Sequence, residues 1–438
     1  MNYVKRENIN LIGRDSLLLN VLVALFSMAF IVLGVTSSVF TALAFGLAAL
    51  YILYALPENT FYLLFLLIPF ANIFKFSPGS TSLFTYLQLL MVVKILLTAK
   101  RINVKFILIW CIFFVYVTIG SQGNFTVLIK QAVIPLIIYC FVCFCNINLK
   151  TLSYFFLVGT LVSSVVAWNM KYIPNLSNYV VYDKVYGTNL VDTYRFSGLY
   201  SDPNYYSLIL ILTMICLLLL FVYKKMNYEA FLFVGIFTFF GAQTGSKSFL
   251  LMFAVTFGLY VLLLFINKRY LLGSFFTLAF IVMGVLILSG AIDMFATTIA
   301  RLESGSSTSD LTTGRTDTWR VYMDYFDQNF TSLLFGSGVG SGLVGKYAAH
   351  NTYIDFLYYY GIFGTILFVI TCVSAFCCKN KFRIKFSNCF PVFCIGTMFA
   401  FLSGLMHFDF AFILALLFFL IRFDFKKDFY DNGLEIKQ

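Results

Sequence analysis

Only two histidines, His350 and His407, occur in this chain of 438 residues. Histidine is the side chain whose charge changes near neutral pH, so each could move a proton. His350 stands beside Asn351 at the entrance to an apolar run, where it could take a proton from a hydroxyl group or merely cap the helix that begins at Asn351. His407, Asp409 and Glu303 are candidates for orienting or assisting such a base. Cations supply a second chemistry: Arg195 in "TYRFSGLYSDPNYYSLIL", Lys247 in "QTGSKS", and Arg315 and Arg320 in "GRTDTWR". Gathered round one cavity, forked guanidinium groups and a point-charge ammonium would suit a phosphate or diphosphate. Lys247 lies in a turn of a few residues between two apolar spans, where a lysine is expected to have an anion or carboxylate partner. Lys171, Lys184, Arg301 and Lys346 have a blander reading as span-end cations that snorkel to the headgroups. In Asp202-Pro203-Asn204, Asp202 or Ser201 reads as the N-cap and Pro203 as the first residue of the next helix; a catalytic role for Asp202 stays open.

The elements that must position these groups are set by composition. Hydrophobic residues make up 61% of the chain and charged residues 11%, with a mean hydropathy of +0.90. A soluble domain is about 45–50% apolar and about 25% charged, so a water-soluble fold is excluded. The fold class is an all-α polytopic integral membrane protein, one transmembrane domain over residues 1–438. Lys5, Arg6 and Arg14 precede the first apolar run, which reads as a signal anchor rather than a cleaved leader. The ten cysteines lie within or at the ends of apolar runs, so no structural disulfide is expected, and no zinc-ligand spacing accompanies them.

Starting inside, about fourteen spans fit: roughly 17–34, 38–56, 61–74, 83–99, 106–120, 128–145, 151–168, 204–223, 229–243, 248–266, 271–290, 351–376, 388–405 and 408–423. Lys100, Arg101 and Lys105, then Lys150, Lys224 and Lys225, Lys268 and Arg269, Lys379, Lys381, Arg383 and Lys385, and Lys426 and Lys427 then share one side, leaving both termini cytoplasmic. Topology therefore accounts for the net charge of +11 without a nucleic-acid partner.

Two connections on the opposite face are long, 169–203 and 291–350, and loops of such length are usually functional. The first carries Lys171, Asp183, Lys184, Asp192, Arg195 and Asp202. In the second, Asp310 or Thr312 could cap an interfacial amphipathic helix from about 317 to 330 with Trp319, Tyr322, Met323 and Phe326 on one face. "FGSGVGSG", Phe335 to Gly342, reads as a flexible or close-approach segment; with no preceding strand and no following G-K-[ST], it lacks the context of a nucleotide loop. Gly361 and Gly364 would allow a close helix crossing.

Taken together, "RFSGLYSDPNYYS", "TGSKS", "GRTDTW" and "HNTYIDFLYYYGIFGT" resemble the O-antigen polymerase and O-antigen ligase superfamily of bacterial inner membranes. His350-Asn351, nine intervening residues, Gly361, two more and Gly364 match the pattern that follows that superfamily's large periplasmic loop. The resemblance covers residues 190–370 by motif and the whole chain by topology. It implies a GT-C-like glycosyltransferase architecture, two periplasmic loops and an active site facing the periplasm. Glycosyl transfer would be inverting and metal-independent, with no cofactor and an undecaprenyl-diphosphate-linked glycan as donor. Arg195 and Arg315, with Arg320 as the second choice, would hold the diphosphate; His350 would activate the acceptor hydroxyl. Lys247, Arg320, Asp202, Asn204 and Asn351 would line the substrate. Polymerase is favoured over ligase, on span count, loop size and the Phe- and Tyr-rich composition. A chain-length regulator and a flippase are the implied protein partners. From a different class, a transporter or flippase for polysaccharide lipids would place its charges near the bilayer midplane between related halves, whereas here they gather at one face.

Overall fold

The structure, a computed structural model, describes residues 17–121, 125–180, 195–223, 226, 228–289, 295–303, 314–339, 341–342, 344, 348–378, 386–405 and 407–422. Asp183, Lys184, Asp192, Asp310, Thr312 and Lys346, as well as the Arg301 side chain, lie outside that description. Among the described residues every regular element is helical: α1 (Leu17–Gly34), α2 (Ser38–Tyr54), α3 (Pro57–Leu67), α4 (Leu83–Thr98), α5 (Val104–Gly120), α6 (Phe125–Phe144), α7 (Leu149–Trp168), α8 (Pro203–Val222), α9 (Glu229–Gln243), α10 (Lys247–Ile266), α11 (Tyr270–Leu288), α12 (Ala296–Glu303), α13 (Arg315–Gln328), α14 (Phe330–Phe335), α15 (Thr352–Cys377), α16 (Phe386–Phe399) and α17 (Phe410–Arg422). Among the described residues six helices, in α6, α7, α8, α10, α11 and α15, are long and apolar enough to cross a membrane by length and composition, and seven shorter apolar helices accompany them. Without water in a hydrocarbon core, helices satisfy their own backbone groups, which is why apolar runs of this kind fold this way.

Helix α8 is the axis of the molecule: every residue in it is buried except Tyr205. It packs against α7, α9, α10 and α16, while α6 packs against α15 and α17. A helix apolar all round has no solvent face to keep, so neighbours enclose it. Hydroxyl pairs help to seat it, Thr213 with Thr160 (3.1 Å) and Tyr206 with Ser164 (2.6 Å), as expected where helices associate without a hydrophobic driving force.

Several sequence expectations change in detail. The connection 169–203 is not structureless throughout: it forms short 3-10 turns at Met170–Tyr172 and Leu176–Asn178, and its end, 195–200, is buried. The amphipathic helix begins at Arg315, after Gly314 with φ 75° and no side-chain cap. Tyr322 and Phe326 are buried on its inner face, against Tyr358 of α15, whereas Met323 is exposed. Gly361 does not serve a helix crossing. At φ 65° and ψ −177° it breaks α15, and a Cβ there would stand 2.3 Å from Gly336 N and 2.5 Å from Leu334 O. Only glycine takes that conformation without strain. The "FGSGVGSG" segment is thus a close-approach element: Ser337 N donates to Tyr358 O (2.7 Å) and Gly338 N to Tyr359 O (3.2 Å) across the break. Gly364 does make a helix crossing, since its Cβ would meet the Tyr116 ring of α5 at 2.3 Å.

Candidate active site

The residues with chemistry meet where the N-termini of α8, α10, α15 and α17 and the C-terminus of α9 come together. Asp202 caps α8 as its sequence suggests, with Oδ1 accepting from Asn204 N at 2.7 Å and from Asn204 Nδ2 at 2.8 Å. Asn204 in turn accepts from Ser246 Oγ at 2.7 Å, which ties the start of α8 to the "TGSKS" turn. That turn is tight because Gly245 adopts φ 55°, leaving Thr244 O free of the helix. Ser246 caps α10 through Phe249 N.

Arg195 lies against this turn. Its Nε donates to Thr244 O at 2.9 Å, Phe196 N donates to Gln243 O at 3.0 Å, and the side chain is only 6% exposed. The arginine therefore has a structural partner in the turn, a carbonyl that accepts one of its five donors. Lys247 is the first residue of α10 and half-buried.

Arg315 reaches the same turn from the second long connection. Trp319 Nε1 donates to Ala349 O (2.9 Å) and Tyr322 packs edge-on against Tyr358 (5.4 Å), docking α13 on the start of α15. Arg315, one turn earlier, then donates from Nη1 to Ser248 Oγ at 3.3 Å. Burial pushes the Arg315 pKa down; the nearby Asp202 carboxylate opposes that shift, and the Arg195 charge adds to it. Two guanidinium groups from positions 120 residues apart in the chain thus feel each other, with Asp202 beside them. Arg320 is not brought there. It is exposed and lies 3.9 Å from Asp317 on its own helix, a pair worth little at a surface.

Asn351 caps α15, accepting from Tyr353 N (2.9 Å) and Ile354 N (3.3 Å). His350, immediately before it, is half-buried and takes φ 48°. A positive φ at a residue other than glycine costs on the order of 1–3 kcal/mol and persists where surrounding structure enforces it. The capping duty falls to Asn351, so His350 is not needed for it.

The second histidine is fixed more tightly. His407 Nδ1 lies 2.6 Å from Asp409 Oδ1, and Asp409 is 1% exposed. Tyr200 Oη donates to the other Asp409 oxygen at 3.2 Å; burial and that carboxylate hold the Tyr200 hydroxyl well above its ordinary pKa. The His407 ring stacks on Tyr205 with centroids 4.1 Å apart and planes 11° from parallel. Tyr205, whose hydroxyl donates to Ser403 O, sits in the field of Asp202, Asp355, Asp409 and Arg315. One aromatic ring therefore separates the His407–Asp409 pair from the Arg315 side of the site. Glu303 is exposed at the end of α12 and joins none of these contacts.

Sequence reading missed Tyr200, Tyr205 and Asp355. Asp355 carries a signal that could have found it, a lone charge inside an apolar run. The tyrosines carry none, since the chain has 28 of them.

Residues 230–369 match the model of the family described as O-antigen ligase, a segment from α9 into α15 that includes Lys247, Arg315 and His350 but not Arg195 or His407. No curated protein and no solved structure matches. The match spans roughly a third of the chain and agrees with the motif resemblance, which extends further towards the N-terminus. Over that segment the chain is similar to the O-antigen ligase family.

Proposed function

We propose that this protein is a polymerase that joins undecaprenyl-diphosphate-linked repeat units into O-antigen or capsular polysaccharide at the periplasmic face of the inner membrane. The observation that carries this reading is the convergence of Arg195 and Arg315, from two separate connections, on the turn before α10. Forked guanidinium groups suit the oxygens of a diphosphate, and a site partly closed to water strengthens such contacts. In the reaction an acceptor sugar hydroxyl attacks the anomeric carbon, and the bond to the diphosphate oxygen breaks on the opposite side, inverting configuration. The diphosphate leaves with the electron pair and the hydroxyl proton passes to His350. Guanidinium groups stabilise the charge that develops on the leaving oxygen, the role that elsewhere falls to a divalent cation. The strained backbone at His350 supports its assignment as the base.

The test is extension of a purified lipid-linked repeat unit by the full chain in EDTA. Wild type should form polymer, and His350→Ala should express normally yet form none; wild-type-length polymer from that variant would sink the base assignment. The family match itself bears the description of a ligase, so the second reading is transfer of finished glycan to lipid A core. A deletion strain separates them. Core lipid capped by a single repeat unit indicates a polymerase, and bare core with accumulated long lipid-linked chains indicates a ligase. Intermediates trapped on the cytoplasmic side would instead indicate a flippase.

A further inference from the structure

Asp355 is a buried acid that neither the diphosphate clamp nor the His407–Asp409 pair uses. It lies one turn into α15, where its N–H donates to Asn351 O at 2.9 Å, and it is 5% exposed. On a helix with about 3.6 residues per turn, positions 351 and 358 flank it on one side and positions 352 and 359 on the other. Each side is held by a different element. Tyr358 packs edge-on against Tyr322 of α13 at 5.4 Å. Thr352 Oγ1 donates to Leu402 O and accepts from Gly404 N at 2.9 Å, which brackets Ser403 between its two neighbours. Asp355, in the middle, therefore faces the crevice between α13 and the 402–404 segment.

Tyr205 of α8 adds a third wall. Its hydroxyl donates to Ser403 O and its ring stacks on His407. The charge of Asp355 reaches both Tyr322 and Tyr205, as a side chain placed between them requires. His350 stands at the N-terminal end of the same helix, immediately before the Asn351 cap.

This crevice lacks a donor. Asp355 Oδ2 is buried without a hydrogen-bond partner, and so is the Ser403 hydroxyl beside it; among the described residues no ion pair takes up the charge. A buried carboxylate left unbonded is costly, and an ionisable residue in an apolar helix marks a functional position. An ionised carboxylate only accepts hydrogen bonds, so the ligand that completes it brings O–H or N–H groups. The diphosphate, of the same charge sign, is the wrong partner. Of the parts of a lipid-linked glycan that leaves the sugar, whose hydroxyls make strong, short bonds to a carboxylate.

We propose that Asp355 and Ser403 form the acceptor-sugar subsite, where the carboxylate accepts hydrogen bonds from ring hydroxyls and so holds the neighbouring, reacting hydroxyl for His350. The naming of the sugar as acceptor rests on the glycosyl-transfer reading above; the presence of a sugar subsite does not.

The experiment uses the free repeat-unit oligosaccharide, released from its lipid, which has no diphosphate to lose and can serve only as acceptor. Its binding to the full chain in detergent is measured by calorimetry, with farnesyl diphosphate and lipid A core oligosaccharide as separate arms. Wild type should bind the repeat-unit oligosaccharide. Asp355→Asn, which keeps the volume, and Asp355→Ala should weaken that binding at least tenfold, and Ser403→Ala severalfold, with farnesyl diphosphate affinity within twofold of wild type. With the lipid-linked repeat unit as donor, Asp355→Asn should raise the KM for the oligosaccharide more than it lowers kcat. Unchanged oligosaccharide affinity in both Asp355 variants would overturn the proposal, as would a wild type that binds neither oligosaccharide. An equal loss of farnesyl diphosphate affinity would also overturn it, by making Asp355 a structural residue. Asp355-dependent binding of the core oligosaccharide in place of the repeat unit would keep the subsite and turn the reading from polymerase to ligase. Asp355-dependent binding in a wild type that transfers nothing would leave the subsite standing and overturn the glycosyl-transfer reading instead.

Discussion

Asp409 spends both its carboxylate oxygens inside the protein, one 2.6 Å from His407 Nδ1 and one on the Tyr200 hydroxyl at 3.2 Å. Through these bonds a single buried acid fixes the tautomer and the ring plane of His407 and joins the α17 entrance to the Arg195 segment. Asp409→Asn keeps the volume and removes the charge. Hydrogen bonds to charged groups contribute about 1.5–3 kcal/mol each. The variant should therefore melt earlier in detergent and, with the His407 ring no longer held against Tyr205, extend glycan more slowly than wild type. An unchanged rate would reduce Asp409 to a packing residue.

Arg315 and Arg320 lie five residues apart on one helix but differ in surroundings. Arg315→Ala should abolish detectable transfer, because its guanidinium points at Ser248 and senses Arg195 and Asp202. Arg320→Ala removes only an exposed contact with Asp317, worth under about 1 kcal/mol, and should leave the rate within twofold. Equal losses in the two variants would show that the exposed arginine moves inward when substrate binds.

A pH profile distinguishes charge from fork geometry at the same position. Burial and Arg195 lower the pKa of a cation at position 315. Arginine starts so high that it stays charged, whereas a lysine starts at about 10.4. The charged form of a lysine lies below its pKa, so Arg315→Lys should keep some activity near pH 6 and lose it progressively on the alkaline side, where wild type does not. A profile parallel to wild type would mean that the field at this position is weaker than the structure implies.

Gly361→Ala tests the break in α15. Its Cβ would approach Gly336 N to 2.3 Å at φ 65°, a steric and conformational conflict expected to destabilise by about 2 kcal/mol or more. Gly46→Ala in α2 meets nothing within 4 Å and should be neutral or slightly stabilising. Thermal unfolding of the two variants in detergent gives the comparison, and similar midpoints would mean that the 335–338 segment yields easily.

Much of this protein is legible one-dimensionally. Apolar runs without charges have no stable option in a bilayer but helices, so α8, α10 and α15 start and stop within a residue or two of where the sequence places them. Asp202-Pro203 announces its own helix start because a cap acts over three residues. The pairing of Arg195 with the "TGSKS" turn is different, since it depends on α9 and α10 flanking α8, and nothing in either stretch encodes the other. Arg315 and Arg320 look alike in "GRTDTWR"; the face of α13 that Trp319 and Tyr322 bury decides which one turns inward.

His407 and Asp409, two residues apart, are both legible as candidates, but their ties to Tyr200 and Tyr205 are not, because those tyrosines arrive from the segment before α8 and from α8 itself. Composition and local capping alone determined that the chain is helical, membrane-embedded and polar at the mouths of a few helices, because desolvation of the backbone and satisfaction of helix ends are local demands. Which charges share a field was decided only by tertiary packing, because Coulomb interactions and hydrogen bonds depend on distance in space, and separation along the chain does not report it.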